Sequence, residues 1–176
     1  AMEDFSRFGA GVRAAAEAGA VMLFAGTAME LLGTSVTEAD GTSYGGIDLA
    51  GFSTVHSERR MVEDVYGHTD LFPEAVVGFM NKCGTVTGVE TPLLASVEFG
   101  IGNEGEKPPE GFHWKNVFAS ELTGPILVKN PRLLESLASA LYARRGETLP
   151  EERAADSWAV RGYAVTEEQL RRRFVR

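Results

Sequence analysis

The sequence contains a single cysteine, Cys83, among its 176 residues. No disulfide can therefore form within the chain, and none of the paired-cysteine spacings that bind zinc is present. The three histidines, His56, His68 and His113, are far apart in the sequence, and none has a partner at metal-ligand spacing. We therefore interpret them as ordinary surface histidines and expect no metal site.

Positive charge is also scarce, because 17 lysines and arginines face 25 acidic residues and give a net charge of -8. This balance argues against binding to nucleic acid, which requires clustered lysine and arginine. No apolar run approaches the roughly 20 residues that a bilayer span requires, and no signal-peptide pattern begins the chain. We expect a cytoplasmic protein with no membrane span.

Phosphate-binding glycine loops are missing as well. Gly45-Gly46 and the glycine-rich stretch 100–105 lack the following Lys-Ser/Thr, or the strand and helix context, that a P-loop needs. Nucleotide binding by this chain alone is therefore not expected, and we predict no cofactor.

The N-terminal part of the sequence combines a helical pattern with a short apolar strand. Apolar residues recur at helical spacing over residues 5–18, and the run AVMLFA at residues 20–25 is typical of a buried strand. A second helical pattern follows and ends at Gly33. The segment around Gly26 therefore predicts a strand, a tight turn and a helix.

The middle of the chain predicts extended structure, with strands at 53–55, 61–66, 75–79, 94–99 and 114–118. Four glycines and two prolines at 100–111 predict a surface loop before the last of these strands.

Two further helices are predicted near the C-terminus. Asn130-Pro131 has the form of a helix start with asparagine as its cap, and Gly146 of a helix stop. The buried stripe predicted for this helix consists of leucines and one alanine: Leu133, Leu134, Leu137, Ala138 and Leu141. Thr166 and Gln169 form a capping box that predicts a short basic helix from Glu167 to Phe174.

The predicted order of strand, sharp turn and helix around Gly26 is typical of a nucleophile elbow. Such an elbow presents a reacting group above backbone amides. The stretch VMLFAGTAMELLG at 21–33 resembles the elbow segment of CobB/CobQ-like class I glutamine amidotransferases. In that family the segment approximates LAICGGYQLLG, and Gly26 occupies the place of its cysteine. The elbow of this chain therefore carries no nucleophile.

Five further collinear segments extend the resemblance to about residues 8–143, in the order of the GatD-type subunits of lipid II isoglutaminyl synthase. They read ADGTSYGGIDL, STVHSERRMVEDV, VVGFMNKCG, FGIGNEG and WKNVFASELTGPILVKNP. The resemblance implies a three-layer, flavodoxin-like α/β domain with a central mixed sheet over residues 3–146, followed by an extension at 147–176. Family members carry further βα units before the elbow strand, so the resemblance also implies an N-terminally shortened relative.

The resemblance also assigns candidate site residues. The last segment runs approximately YKNVIGTYLHGPLLPKNP in the family, and Thr123 stands at the position of its histidine, the general base. Arg60 matches an arginine that handles glutamine, while Asn81 and Asn103 persist from patterns near GFENHGG and GNN. We take Arg60, Asn81 and Asn103 as substrate-binding candidates, although a surface arginine and a structural loop asparagine are the alternatives.

Glutamine hydrolysis on this fold requires a thiolate, an imidazole and donors for the oxyanion. Because Gly26 and Thr123 can supply neither side chain, the first interpretation is a non-catalytic subunit that docks on a Mur ligase-like synthetase. The second is an active glutaminase with Cys83 as a displaced nucleophile, and the third is a sensor that binds an amino acid through Arg60. Self-association through an unpaired sheet edge is a further expectation.

Overall fold

The computed structural model describes residues 2–150 and 157–174 as an α/β arrangement with mixed sheets, which confirms the predicted class. The helices are α1 (Met2–Ser6), α2 (Gly9–Glu17), α3 (Ile126–Lys129), α4 (Pro131–Arg144) and α5 (Ser157–Phe174), with a 3₁₀ helix at Gly26–Leu32. The strands are β1 (Met22–Ala25), β2 (Ser35–Thr37), β3 (Ser43–Gly45), β4 (Ser53–His68), β5 (Val76–Thr87), β6 (Ser96–Phe99), β7 (Ile101–Gly102), β8 (Gly105–Glu106), β9 (Phe112–Trp114) and β10 (Val117–Ser120).

Most of these strands form two mixed sheets that meet along β5. In the first sheet β10 pairs in parallel with β1 and antiparallel with β9. In the second sheet β4 pairs with β2, β5 and β6, while β3 extends the edge beyond β2. An isolated bridge from Met80 to Leu122 joins the end of β10 to β5. This bridge brings the predicted elbow and the long strands of the second sheet together.

Two apolar clusters hold these layers together. One includes Met80, Leu122 and Leu133, and joins β5 and the β10 end to α4. The other includes Met29 and Phe52 and packs the 3₁₀ helix onto β10 and its neighbours. Because burial of such side chains contributes about 1.5–3 kcal/mol each, the second cluster holds the 3₁₀ helix in place after β1.

The N-terminal helix is interrupted, whereas the sequence predicted one helix over 5–18. The break between α1 and α2 falls at Arg7 and Phe8, just before Gly9. A Cβ at Gly9 would lie 3.2 Å from the side chain of Ile47, so the chain approaches its neighbour closely here. That close approach favours glycine at residue 9. Because glycine is a weak helix former, the break lies just before it.

Strand boundaries differ from the prediction in several places, and the strand predicted at 75–79 continues to Thr87 as β5. The runs 53–55 and 61–66 belong to one strand, β4, whose residues 57–60 bulge out opposite Cys83 of β5. The predicted strand at 114–118 is a turn flanked by β9 and β10, with Lys115 in the left-handed region at φ 52°. Trp114 and Val117 lie on either side of the turn and are both apolar, so the segment looks like one continuous strand in the sequence.

Helix α4 begins and ends close to the prediction, with Asn130 at its N-cap position, but the Asn130 side chain makes no capping hydrogen bond. Instead of capping, the buried Asn130 side chain accepts a hydrogen bond from the amide of Val77 at 2.8 Å. Its Nδ2 donates to the carbonyl oxygens of Val77 and Ile126, both at 2.8 Å. Asn130 therefore fastens the start of α4 to β5.

The predicted buried stripe of α4 is only partly correct. Leu133 and Leu137 are buried, whereas Leu134 and Leu141 are 47% and 52% exposed. Only one side of α4 faces the apolar cluster, and residues four apart lie on the same face. Leu134 lies on the neighbouring face and therefore points to solvent, whereas Leu141 shares the face of Leu137 but is not part of the cluster.

The C-terminal helix is longer than predicted. Helix α5 starts at Ser157, and Thr166 lies inside it, where its hydroxyl donates to the carbonyl oxygen of Gly162 at 2.9 Å. The predicted capping box is therefore wrong, because Thr166 bonds backwards within the helix. Leu170 packs against Tyr66 and Val77, so α5 covers part of the second sheet. Within the predicted extension at 147–176, residues 151–156 and 175–176 lie outside the described residues.

Candidate functional site

The elbow is centred on Gly26, which follows the last residue of β1 and opens the 3₁₀ helix. Gly26 has a φ of 63°, a left-handed conformation that glycine adopts without strain. A Cβ at this position would meet no atom within 4 Å, so a side chain would have room. The backbone therefore has the sharp turn of a nucleophile elbow, while the residue in it carries no side chain.

The segment that follows β10 reaches this elbow. The amide of Gly26 donates a hydrogen bond to the carbonyl oxygen of Leu122 at 3.3 Å, and Thr123 is the next residue. The amide and the hydroxyl of Thr123 both donate to the carbonyl oxygen of Phe79, at 2.8 and 2.9 Å. The structure thus brings the two positions together, and the Thr123 hydroxyl is committed to the main chain.

Two of the substrate-binding candidates also meet. Arg60 lies in the β4 bulge at 57–60, and its Nη1 donates to Oδ1 of Asn81 on β5 at 2.8 Å. Asn81 shares the less buried face of β5 with Phe79, which holds Thr123. Arg60 also lines a cleft of about 560 Å³ between the edge of β4 and residues 99–107.

Asn103 is placed apart from these residues, in the buried loop between β7 and β8. Its Oδ1 accepts from the amide of Gly111 at 2.9 Å, and its Nδ2 donates to the Gly111 carbonyl oxygen at 3.0 Å. Its own carbonyl oxygen accepts from Val86 and from Lys82 Nζ. Both ends of the Asn103 amide are therefore used within the protein, which favours the structural interpretation of this loop.

Cys83 is half-buried on β5, opposite the bulge. Its neighbour Lys82 is 3% exposed and points into the core, because successive residues of a strand face opposite sides. The Lys82 ammonium is directed at Glu121 and does not act on the thiol. The carbonyl oxygen of Cys83 accepts a hydrogen bond from the Ser57 hydroxyl at 3.4 Å.

Buried charges fill the core side of the same strands. Lys82 Nζ donates to Oε2 of Glu121 at 2.5 Å and to the carbonyl oxygen of Gly102 at 2.8 Å. The other oxygen of Glu121, Oε1, is buried without a hydrogen-bond partner. Burial raises the pKa of Glu121 to about 7, although the Lys82 ammonium acts in the opposite direction.

A second buried carboxyl lies next to this ion pair. The Glu110 side chain is completely buried and accepts from the Ser120 hydroxyl at 2.9 Å and from the Glu121 amide at 2.8 Å. Burial, and then repulsion from Glu121, raise the pKa of Glu110 to about 7. Both carboxyls therefore release their protons at higher pH than surface carboxyls do.

His56 is not an ordinary surface histidine, as the sequence suggested, because its side chain is only 13% exposed. Its Nε2 lies 3.0 and 3.1 Å from the two oxygens of Glu30, and its Nδ1 lies 2.9 Å from Oε2 of Glu38. Burial lowers the pKa of His56, but the hydrogen bonds to Glu38 and Glu30 outweigh it and raise the pKa overall. His68 is bonded to Glu98, and His113 stacks on Phe118.

Sequence reasoning missed Glu30, Glu110 and Glu121. Two of them stood out in one respect, since each is a single acid inside an otherwise apolar run, MELLG or FASEL. Acidic residues are rarely buried unless paired, so an acid in such a run is a signal for a buried network.

Neither a metal site nor a membrane helix is found in the described ranges. Over residues 2–150 and 157–174, no group of three or more His, Cys, Asp or Glu side chains is placed to hold a metal ion. No helix within these ranges is long and apolar enough to span a bilayer.

Comparison with known proteins gives two kinds of match. A family model described as a CobB/CobQ-like glutamine amidotransferase domain matches residues 1–131. The chain is 36% identical over 123 residues to the GatD subunit of lipid II isoglutaminyl synthase (glutamine-hydrolyzing) from Streptococcus pneumoniae (strain ATCC BAA-255 / R6). It is 34% identical over 117 residues to the GatD subunit of Staphylococcus aureus (strain N315).

These matches cover 68% and 66% of this chain but 47% of each relative. The chain therefore spans about half the length of the curated relatives that it matches.

Proposed function

The chain belongs to the family of CobB/CobQ-like glutamine amidotransferase domains, and on that premise we propose that it is a catalytically degenerate subunit. Its role is that of a non-catalytic partner of a Mur ligase-like synthetase in peptidoglycan amidation. One observation carries the proposal: the elbow residue is Gly26, and the residue beside it is Thr123, whose hydroxyl is bonded to a main-chain oxygen.

The chemistry explains why these two residues matter. Hydrolysis of the glutamine amide requires a thiolate that attacks the carbonyl carbon and an imidazole that transfers a proton to the leaving ammonia. Gly26 offers no nucleophile, and Thr123 offers no group that titrates near neutral pH. Loss of either member of such a pair removes about three or more orders of magnitude in rate, and here both are lost.

A displaced active centre around Cys83 finds little support. A catalytic thiol needs a base within hydrogen-bond reach. His56 is engaged by two glutamates, His68 is paired with Glu98, and His113 stacks on Phe118. The ammonium of Lys82 is turned away from Cys83 into the core.

The name of the two relatives supports the subunit role, since each is a subunit of a glutamine-hydrolyzing synthase. A subunit without glutaminase chemistry supplies no ammonia, so the partner would use free ammonia. This subunit would then contribute binding surface and stability to the complex.

A sensor is the second candidate, and Arg60 favours it. The guanidinium is oriented by Asn81 and faces an open cleft, and a planar fork of this kind suits a carboxylate. Binding of glutamine without turnover, coupled to the activity of the partner, would distinguish a sensor from a plain scaffold.

Reconstitution with the Mur ligase-like subunit tests the proposal. The complex is expected to amidate its substrate with ammonium chloride as nitrogen donor and to remain inactive with glutamine. A parallel complex that contains an amidotransferase subunit with intact cysteine and histidine serves as control and should use glutamine. Amidation with glutamine that is lost in Cys83→Ala would overturn the proposal and assign the nucleophile to Cys83.

A further inference from the structure

When Glu30 and Glu38 are both ionised, His56 makes contacts that its protonated form satisfies completely. Each ring nitrogen faces carboxylate oxygens, with Nε2 at 3.0 Å from Glu30 and Nδ1 at 2.9 Å from Glu38. An ionised carboxylate accepts hydrogen bonds but cannot donate them, and a neutral imidazole has a single N–H. The geometry therefore selects the imidazolium, which donates through both nitrogens at once.

The three residues belong to three different parts of the fold. Glu30 lies in the 3₁₀ helix, four residues after the elbow glycine. Glu38 begins the turn that joins β2 and β3, where its amide donates to the carbonyl oxygen of Thr42. His56 is the last residue of β4 before the bulge at 57–60. One proton on His56 thus joins the elbow helix, the β2–β3 turn and the base of the bulge.

We propose that His56 is a proton-operated latch that holds the elbow helix against the β4 bulge and thereby positions Arg60. His56 is a positioning residue in this proposal, because it acts on ligand binding through the bulge. The latch itself stands on the geometry alone. Its effect on a carboxylate ligand rests on the proposed role of Arg60.

The bulge lies between two strand pairs, His56 with Gly84 and Met61 with Lys82, so side-chain contacts determine the position of the four residues between them. All four of its residues are exposed. The Ser57 hydroxyl donates weakly, at 3.3 Å to the carbonyl oxygen of Arg59 and at 3.4 Å to that of Cys83. Beyond these, Arg60 reaches Asn81 at 2.8 Å. Loss of the anchor at His56 would therefore leave the bulge free to shift.

The charges around His56 determine the direction of the switch. Glu30 and Glu38 favour the imidazolium, while Lys82, on the same face of the sheet, is already neutralised by Glu121. Because the pKa of His56 is raised in the folded chain, the latch is fully closed below the ordinary pKa of histidine. It opens as the pH rises through the higher pKa of the folded state.

Opening is reinforced by Glu30, whose carboxyl is 5% exposed. Burial raises the pKa of Glu30, and its bond to His56 offsets part of that effect. Once His56 loses its proton, a buried carboxylate remains without a cation, which is costly in a low-dielectric interior. The contact between Glu30 and the base of the bulge is then expected to loosen, while the buried residues Met29 and Leu32 keep the elbow helix in the core.

Nuclear magnetic resonance on the full chain tests the proposal directly. The imidazole nitrogens of His56 and His113 are followed against pH, and amide exchange, corrected for intrinsic rates, is followed at 26–32 and 57–60. His113 is an internal control, since burial lowers its pKa. His56 should titrate at higher pH than His113. Exchange in both segments should rise about tenfold through the His56 transition, as expected for loss of one charge-assisted hydrogen bond.

Two conservative variants refine the test. Glu38→Gln removes one partner of His56 at a half-exposed position, so the fold should persist while the transition moves to lower pH. Glu98→Gln removes the matching partner of His68 and should leave both segments unchanged. A His56 that is neutral at the pH where the two segments are protected would overturn the latch. So would a His56 titration without any change in exchange.

Discussion

The amide of Gly26 donates a hydrogen bond to the carbonyl oxygen of Leu122 across 3.3 Å, and this bond joins the elbow to the end of β10. It places Thr123 beside the one residue of the elbow that has a left-handed backbone. The two positions that we propose correspond to the family's cysteine and histidine are therefore close together in this chain. What is missing is the side chains, and the backbone that would hold them remains.

Restoring both side chains is expected to restore chemistry. The variant Gly26→Cys with Thr123→His should release glutamate from glutamine about a hundredfold faster than the background rate, because a positioned base contributes a factor of that size. The new cysteine has room, since a Cβ at residue 26 meets no atom within 4 Å. Labelling by a diazoketone analogue of glutamine, located by mass spectrometry, would identify the reacting residue.

The matched control moves the thiol one residue along the chain. Thr27→Cys with Thr123→His places a cysteine at an exposed neighbouring position. It should neither hydrolyse glutamine nor react with the analogue. Equal labelling at residues 26 and 27 would mean that the elbow does not direct the nucleophile.

Breaking the buried ion pair should be costly. Lys82→Met leaves Glu121 without its cation at a position where the side chain is 1% exposed, so the free energy of unfolding should fall by about 3–5 kcal/mol. Adding Glu121→Leu should recover part of the loss, because the uncompensated carboxyl is then removed. Urea denaturation measures both effects. Arg132→Met, which breaks only exposed pairs, should cost about 1 kcal/mol or less.

The stability of the fold should decrease as the pH rises. The pKa of Glu110 is raised to about 7, so its contribution is fully present below the ordinary pKa of a glutamate and is lost as the pH passes through 7. Glu110→Gln keeps the shape without the charge and should flatten this decline. Above neutral pH the free energy of unfolding of the variant should exceed that of the native chain by about 3 kcal/mol. If the melting temperature of Glu110→Gln fell with pH as steeply as that of the native chain between about pH 5 and pH 8, this prediction would be contradicted.

The sequence predicts those features of the fold that depend on local pattern. The apolar run at 20–25, the glycine after it and the Asn130-Pro131 helix start all correspond to elements at nearly the expected places. Periodicity fails where the deciding partner is distant in sequence. Leu134 is exposed because the apolar cluster lies on one side of α4 only. The Asn130 side chain makes no capping bond because it is hydrogen-bonded to the amide and the carbonyl oxygen of Val77.

The candidate site could be predicted only in part for the same reason. Gly26 and Thr123 were identified from a resemblance in sequence, and strand pairing makes Arg60 and Asn81 neighbours. The network of buried acids was not predicted, because its members are distant in sequence. Lys82 and Glu121 are 39 residues apart, and the glutamates bonded to His56 are 18 and 26 residues away from it. No local pattern encodes which buried acid meets which base.

Glutamine binding should depend on Arg60 even without turnover. Arg60→Met removes the guanidinium that Asn81 orients, and affinity for glutamine in titration calorimetry should fall roughly 10–100-fold, as for loss of a charged hydrogen bond. Arg59→Met, which alters the same cleft, should bind almost as tightly as the native chain. If both variants weaken binding equally, the cleft acts through general charge and Arg60 has no special role.

Glutamate release by the purified chain tests the central claim most directly, with excess protein to reveal slow turnover and with Cys83→Ala beside the native protein. We expect no release above background from either protein, because neither Gly26 nor Thr123 can perform its part of the reaction. Release by the native chain that disappears in Cys83→Ala would contradict the account and identify an active glutaminase with a relocated nucleophile.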